Sequence, residues 1–161
     1  WNVTLVDTGL NTMTGGRIKR LKNYIGENDF LLTYGDGVSD VDIPSTIKLH
    51  NESSKILTMT VVRPIARFGE INIEGGIVKS FEEKPQLHQG WINGGFFVCN
   101  PSILNFIDGD KEMFEREPLQ KIIKVGALGA YKHYGFWHCM DSKRDHEKLN
   151  KIWAEGNAPW K

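Results

Sequence analysis

The chain has 161 residues, and its 20 Lys and Arg balance its 20 Asp and Glu, so the formal net charge is zero. That length suits one domain with a buried core. The charge balance gives no electrostatic reason to expect nucleic acid or an anionic membrane as partner. No apolar run approaches the roughly 20 residues of a membrane helix, and two cysteines, Cys99 and Cys139, cannot build a disulfide framework. The chain begins Trp1-Asn2-Val3-Thr4, without initiator methionine or signal peptide, which reads as a processed protein or a piece of a longer one.

In chain order, Val3–Val6 alternates and is β-branched enough to predict a strand. Ile18, Leu21 and Ile25 recur at helical spacing between basic residues, predicting an amphipathic helix. Phe30–Tyr34 is an apolar run without alternation, as in a strand buried on both faces. Pro44 suits a first helical position, and the helix should reach about Asn51. Ile56–Val62 reads as a second buried strand, followed by strand-and-turn pieces around Gly69 and Gly75-Gly76. Phe96–Cys99 is strand-like, Leu119, Ile122 and Ile123 mark a helix, and Ala127–Tyr131 returns to strand. Ser142 and Asp145 stand at capping-box spacing before a last helix with Leu149, Ile152 and Trp153 on one face. This alternation predicts an α/β fold with a largely parallel central sheet, and with no repeat or linker it predicts one domain over 1–161.

Several groups could carry chemistry. In Tyr34-Gly35-Asp36-Gly37 an apolar strand ends at an acid between glycines, which would deliver a carboxylate to the sheet edge where ligands bind. A carboxylate there suits Mg²⁺, although a plain turn explains Gly-Asp-Gly as well. Asp141 precedes the cap of the last helix, where the dipole alone favours an acid, yet two acids at two strand ends could share one metal. In Phe81-Glu82-Glu83-Lys84-Pro85, Lys84 offers a compact charge for a phosphate and Glu83 an acceptor for sugar hydroxyls; an exposed charged turn is the alternative. Gly94-Gly95 would let a ligand approach the backbone, or mark a bulge. Thr14-Gly15-Gly16-Arg17 opens a helix whose free N–H groups could meet a ligand, or Thr14 is simply its cap. The histidines lack zinc-site spacing, and both cysteines read as buried free thiols.

Taken together, Tyr34–Gly37, Arg67-Phe68-Gly69, Phe81–Pro85, Ile92–Val98 and Met140–Asp145 resemble, in this order, the sugar-1-phosphate nucleotidyltransferases. Val3–Gly9, Thr14–Arg17, Gly135-Phe136-Trp137 and Ala158–Lys161 sharpen the resemblance to those acting on glucose 1-phosphate with CTP. The resemblance implies a Rossmann-like (GT-A-like) three-layer α/β/α fold with a mostly parallel sheet. It also implies that the chain is the C-terminal part of a single nucleotidyltransferase domain, missing its first strands. The implied reaction is CTP plus α-D-glucose 1-phosphate giving CDP-glucose and diphosphate, for the sugar nucleotides of O-antigen synthesis; the alternatives are UTP, dTTP or GTP as donor, or a non-catalytic sugar-phosphate module. Mg²⁺ is the implied cofactor, on Asp36 and Asp141, with Lys84 on the sugar phosphate. Gly69, Glu83, Gly94 and Gly95 would line the glucose pocket; Gly9, Thr14, Gly15, Gly16, Arg17 and Gly35 would approach the nucleotide and substrate. A cytoplasmic homo-oligomer, a hexamer by family, is further implied. Two departures stand out. The family's glycine-rich triphosphate loop with its Arg and Lys has no counterpart here, so the chain alone is expected to turn over little. Ser142 stands where Thr is commoner.

Overall fold

The computed structural model describes residues 1–64, 70–82 and 90–161, the side chain of Glu70 apart. The elements run α1 (Thr14–Arg20), α2 (Lys22–Ile25), β1 (Phe30–Thr33), β2 (Gly37–Ser39), α3 (Ile43–Ser53), β3 (Leu57–Val62), β4 (Glu70–Glu74) and β5 (Ile77–Glu82). After them come β6 (Ile92–Cys99), a 3₁₀ helix (Pro101–Phe106), α4 (Glu117–Lys124), β7 (Leu128–Lys132), β8 (Trp137–Cys139) and α5 (Lys143–Ala154). They form two compact units built from interleaved segments. The first comprises Trp1–Thr33, Ile43–Met59 and Phe96–Tyr131; the second comprises Tyr34–Asp42, Thr60–Gly95 and Lys132–Lys161.

The main sheet has the order β1-β6-β3-β7. β6 is antiparallel to β1, with Phe30 opposite Cys99 and Thr33 opposite Phe96. It also opposes β3, because Asn100 N–H donates to the Ile56 carbonyl while Gly94 lies against Val62 and the Thr60 carbonyl. β3 and β7 run parallel: Ile56 N–H donates to Ala127 at one end and His133 N–H to Val61 at the other. Thus β1, β3 and β7 point one way and β6 the other. The predicted α/β sheet is present, mixed by this one reversed strand.

The first unit holds most of the buried apolar side chains, among them Leu57, Phe97, Cys99, Ile103, Ile107, Phe114 and Ile122. Phe97 and Phe114 meet edge to face, ring centroids 5.8 Å apart. Burial pushes the Cys99 thiol up to about 12, with the nearby Asp29 charge adding to the effect. His50, 3% exposed, stays satisfied because its Nδ1 lies 2.8 Å from Thr58 Oγ1. In the second unit the buried apolar residues among those described are Val62, Leu149 and Ala158.

The α3, β3, β6, α4, β7 and α5 expectations hold, and the α1–α2 pair is the predicted amphipathic helix broken at Leu21. Three differ. Val3–Val6 forms no strand: among the described residues nothing pairs with it, and Val3 and Leu5 are exposed. A strand needs a ladder, whatever its propensity. In β1 burial alternates and Leu31 is 55% exposed, so burial on both faces fails. Of the cysteines only Cys99 is buried; Cys139 is partly exposed.

Candidate functional site

The second unit carries a two-stranded ribbon. β2 and β8 pair antiparallel, with Gly37 opposite Cys139, Val38 opposite His138 and Ser39 opposite Trp137. At one end Met140 N–H donates to the Asp36 carbonyl at 2.8 Å. This register brings Asp36 and Asp141, far apart in sequence, to the same end of one ribbon, where both are exposed.

What fixes Asp141 is local. Ser142 caps α5 in a full capping box: its hydroxyl lies 2.7 Å from Asp145 Oδ2, and its N–H donates to the same oxygen at 3.1 Å. Asp145 Oδ1 also lies 3.8 Å from His138 Nε2, tying the cap back to β8. Asp141 therefore sits just outside a pinned helix N-terminus, where negative charge is favoured. The Cys139 thiol donates to Asp141 Oδ2 at 3.1 Å.

Beside Asp36, Tyr34 N–H donates to the Gly95 carbonyl at 3.1 Å, and Asn93 Nδ2 donates to Tyr34 Oη at 3.2 Å. Asn93 Oδ1 accepts from Gly95 N–H, and Trp137 Nε1 donates to the Gly94 carbonyl at 2.8 Å. Gly95 has φ of +80°, and a Cβ there would lie 2.9 Å from the Tyr34 ring, so only glycine fits. Gly35 is open, with nothing within 4 Å of a Cβ position. The structure thus gathers Gly35, Asp36, Gly94, Gly95 and Asp141 in the second unit. Sequence reading missed Tyr34, Asn93 and Trp137 as the side chains that join β6 to the ribbon. The Asn-Gly-Gly run was a signal for Asn93; nothing local announced Trp137.

The other predicted group, Gly9 and Thr14–Arg17, lies in the first unit and is differently built. Thr14 is not the cap of α1; Met13 occupies that position without a side-chain bond. Thr14 Oγ1 donates to Glu115 Oε2 at 2.7 Å and accepts from Phe114 N–H at 2.9 Å. Gly15 N–H donates to the Glu112 carbonyl at 3.0 Å, and a Cβ on Gly16 would meet Asp110 Cα at 2.5 Å. Arg17 donates to Thr8 Oγ1 at 2.6 Å and to the Leu10 carbonyl at 3.3 Å. Gly9 has φ of +84°, with its N–H on Asp7 Oδ1. Gly69, Glu83 and Lys84 lie outside the described residues.

Chemically, Asp36 and Asp141 offer hard carboxylate oxygens. Among the described residues no group of three or more His, Cys, Asp or Glu could hold a metal ion. Two exposed carboxylates nevertheless fit Mg²⁺, which commonly takes one or two protein carboxylates and completes its shell with water and substrate phosphates.

Residues 7–138 match the nucleotidyl transferase family. The chain is 50% identical to a glucose-1-phosphate cytidylyltransferase of Salmonella typhi, covering 100% of this chain and 63% of that protein. It is 40% identical to a probable glucose-1-phosphate cytidylyltransferase of Bacillus subtilis, with the same coverage of both. The chain therefore spans 63% of the length of these relatives. Among solved structures, HddC from Yersinia pseudotuberculosis superposes with a TM-score of 0.67 at 24% identity, covering 89% of this chain and 64% of that one. A UDP-glucose pyrophosphorylase complexed with UDP-glucose superposes at 0.65 and 16% identity, covering 94% and 65%. Among the described residues no helix is long and apolar enough to cross a membrane.

Proposed function

The chain belongs to the nucleotidyl transferase family, and on that premise we propose that its protein transfers a cytidylyl group from CTP to α-D-glucose 1-phosphate. The products are CDP-glucose and diphosphate. The observation that carries this reading is the ribbon register, which brings Asp36 and Asp141 to the same exposed end of the β2–β8 ribbon; the relatives' names supply the substrates.

In the reaction a phosphate oxygen of the sugar phosphate attacks the α-phosphorus of CTP. The new P–O bond forms as the bond to the β-phosphate breaks, and diphosphate leaves with that electron pair. No protein nucleophile is needed; the work is positioning and charge neutralisation. Asp36 and Asp141 would hold Mg²⁺, which when bound supplies positive charge for the phosphate oxygens. The exposed Gly35 leaves room for a bulky polar ligand beside Asp36. We assign Lys84 to the sugar phosphate, and Glu83 and Gly69, with Gly94 and Gly95, to the glucose. Base reading falls to the segment from Gly9 to Arg17. There Thr14 and Gly15 bond residues 112–115, Arg17 bonds Thr8 and Leu10, and Gly9 bonds Asp7, so a base would be read by a segment the fold already holds in place. We read the two units as parts of one domain, since β3 and β6 each contribute residues to both. A cytoplasmic homo-oligomer, hexameric by resemblance, completes the proposal, and sedimentation measures its size.

The test is diphosphate release by the intact protein with CTP, glucose 1-phosphate and Mg²⁺, repeated with UTP, dTTP and GTP. CTP should be preferred by a wide margin. Equal turnover with UTP or dTTP overturns the base assignment, and no release with any nucleotide overturns the reaction. Residues 1–161 alone should release little, because the Arg- and Lys-bearing loop of the resembled family has no counterpart in them.

A further inference from the structure

The far end of the β2–β8 ribbon, away from the two acids, is built with unusual economy of acceptors. One carbonyl, that of Phe136, accepts from three donors: Asp40 N–H at 3.2 Å, Ser39 Oγ at 2.8 Å and His133 Nε2 at 3.1 Å. The same His133 Nε2 lies 2.9 Å from Asp40 Oδ1. Both neighbours of that nitrogen are acceptors, so the proton must sit on Nε2, shared between the carbonyl and the carboxylate. His133 is nearly buried, its side chain 9% exposed, against 35% for Asp40. Its own N–H donates to the Val61 carbonyl at 3.0 Å, fastening the group to β3. Between them Gly135 has no room for a side chain: a Cβ would overlap Asp40 Oδ1 and lie 2.7 Å from the imidazole. The turn from His133 to Phe136 is thus wrapped closely around the Asp40 carboxylate.

This matters because the ribbon is short. Only three residue pairs separate the Asp40 end from the Asp36 end. A three-pair ladder has little stability of its own, and a slip by one residue would turn each side chain to the opposite face. It would also move Met140 off the Asp36 carbonyl and so change where Asp141 stands relative to Asp36. The sequence alone does not pin this register. The Asp40–His133–Phe136 knot does, at the end opposite the chemistry.

We propose that Asp40 and His133 are positioning residues for the Asp36–Asp141 pair: they set the β2–β8 register and through it the geometry that receives the divalent cation. The inference rests on the reading of Asp36 and Asp141 as the cation-holding acids. Neither Asp40 nor His133 touches substrate in this account; they act through the ribbon.

The experiment measures Mn²⁺ binding to the intact protein by electron paramagnetic resonance, alongside kcat and KM for CTP at saturating Mg²⁺. Asp40→Ala and His133→Ala should weaken Mn²⁺ about 10- to 100-fold, the range seen when a partner behind a metal ligand is lost. They should lower kcat more than they raise KM. Asp40→Asn keeps an acceptor for Nε2–H, and His133→Gln keeps a donor for the Phe136 carbonyl, so both should recover most of the loss. Ile122→Val, a core change in the first unit, supplies a variant of lowered Tm for comparison; at matched Tm it should leave Mn²⁺ affinity untouched. If Asp40→Ala does not fold, Ser39→Ala, which removes one donor to the same carbonyl, takes its place with a smaller loss expected. Native Mn²⁺ affinity in the folded Asp40→Ala, His133→Ala or Ser39→Ala proteins overturns the proposal, provided Asp36→Asn abolishes binding. Equal weakening in Ile122→Val also overturns it, since the effect would then be general destabilisation. If Asp36→Asn itself binds Mn²⁺ normally, it is the reading of the acids that fails.

Discussion

The two compact units spend their residues differently. The first holds nearly all the buried apolar side chains, and the polar groups named at its Thr14–Arg17 helix start are met by protein: Thr14 by Glu115 and Phe114, Gly15 by Glu112, Arg17 by Thr8 and Leu10. Among the described residues the second buries only Val62, Leu149 and Ala158 as apolar side chains, and it leaves two acids exposed at the end of a short ribbon. Glycines and acids at element ends look alike in a sequence; what separates them is how closely the fold packs around them. A glycine whose neighbours are backbone atoms serves packing. Asp36 and Asp141, by contrast, stay exposed at one end of the ribbon, which is the basis for proposing that they take a ligand.

The contrast predicts that the two regions fail in different ways. The largest effect belongs to Asp36→Asn and Asp141→Asn, each expected to cut turnover at least about a thousandfold, several kcal/mol of charge neutralisation. The thermal midpoint should hardly move. Near-normal turnover in either removes that acid from the site; a large loss of stability means the second unit depends on it structurally.

The next concerns the first unit's core and alkali. An unfolded Cys99 ionises near its ordinary 9.0, whereas in the fold burial pushes it to about 12. The folded protein then holds a proton that the unfolded chain releases, so stability falls as pH rises from the lower value towards the higher. The loss reaches roughly 4 kcal/mol at most, at about 1.4 kcal/mol per pH unit. Urea midpoints measured between these pH values should decline more steeply in the native protein than in Cys99→Ala. Parallel slopes would mean that the thiol is not sealed.

Gly16→Ala should cost about 3 kcal/mol, because the added methyl meets backbone at Asp110 that cannot rotate away. Gly35→Ala, with open space around it, should be close to neutral in the same denaturation series. Equal costs at both would erase the distinction between the two kinds of glycine. Smallest is Ser142→Ala, which removes the α5 capping box for about 1 kcal/mol. It should lower the melting temperature modestly while Asp36→Asn does not.

How much of this was legible in the sequence follows the range of each signal. The Ser142–Asp145 box is a three-residue spacing and was read correctly, as were β3, from its run of apolar and β-branched residues, and α4. Asp36 and Asp141 could be singled out one by one, since each stands at the end of a strand pattern. That they reach the same end of one ribbon rests on Gly37 meeting Cys139, a pairing that no local pattern encodes. The reversal of β6 was hidden for the same reason. The alternative reading of Thr14 as a simple cap fails because its partners, Phe114 and Glu115, come from a distant stretch of the sequence. The exposed face of β1 also escaped: a run such as Phe30–Tyr34 looks alike whether one of its faces is covered or both.

Finally, the two cysteines amount to a pair of reporters already in the protein. Cys139 is partly exposed at the ribbon, whereas Cys99 is sealed where β6 meets the core. An alkylating reagent needs both access and thiolate, so it reaches Cys99 only when that core opens. The rate at which the second thiol is consumed is therefore a clock for how often the first unit comes apart while the protein is otherwise native.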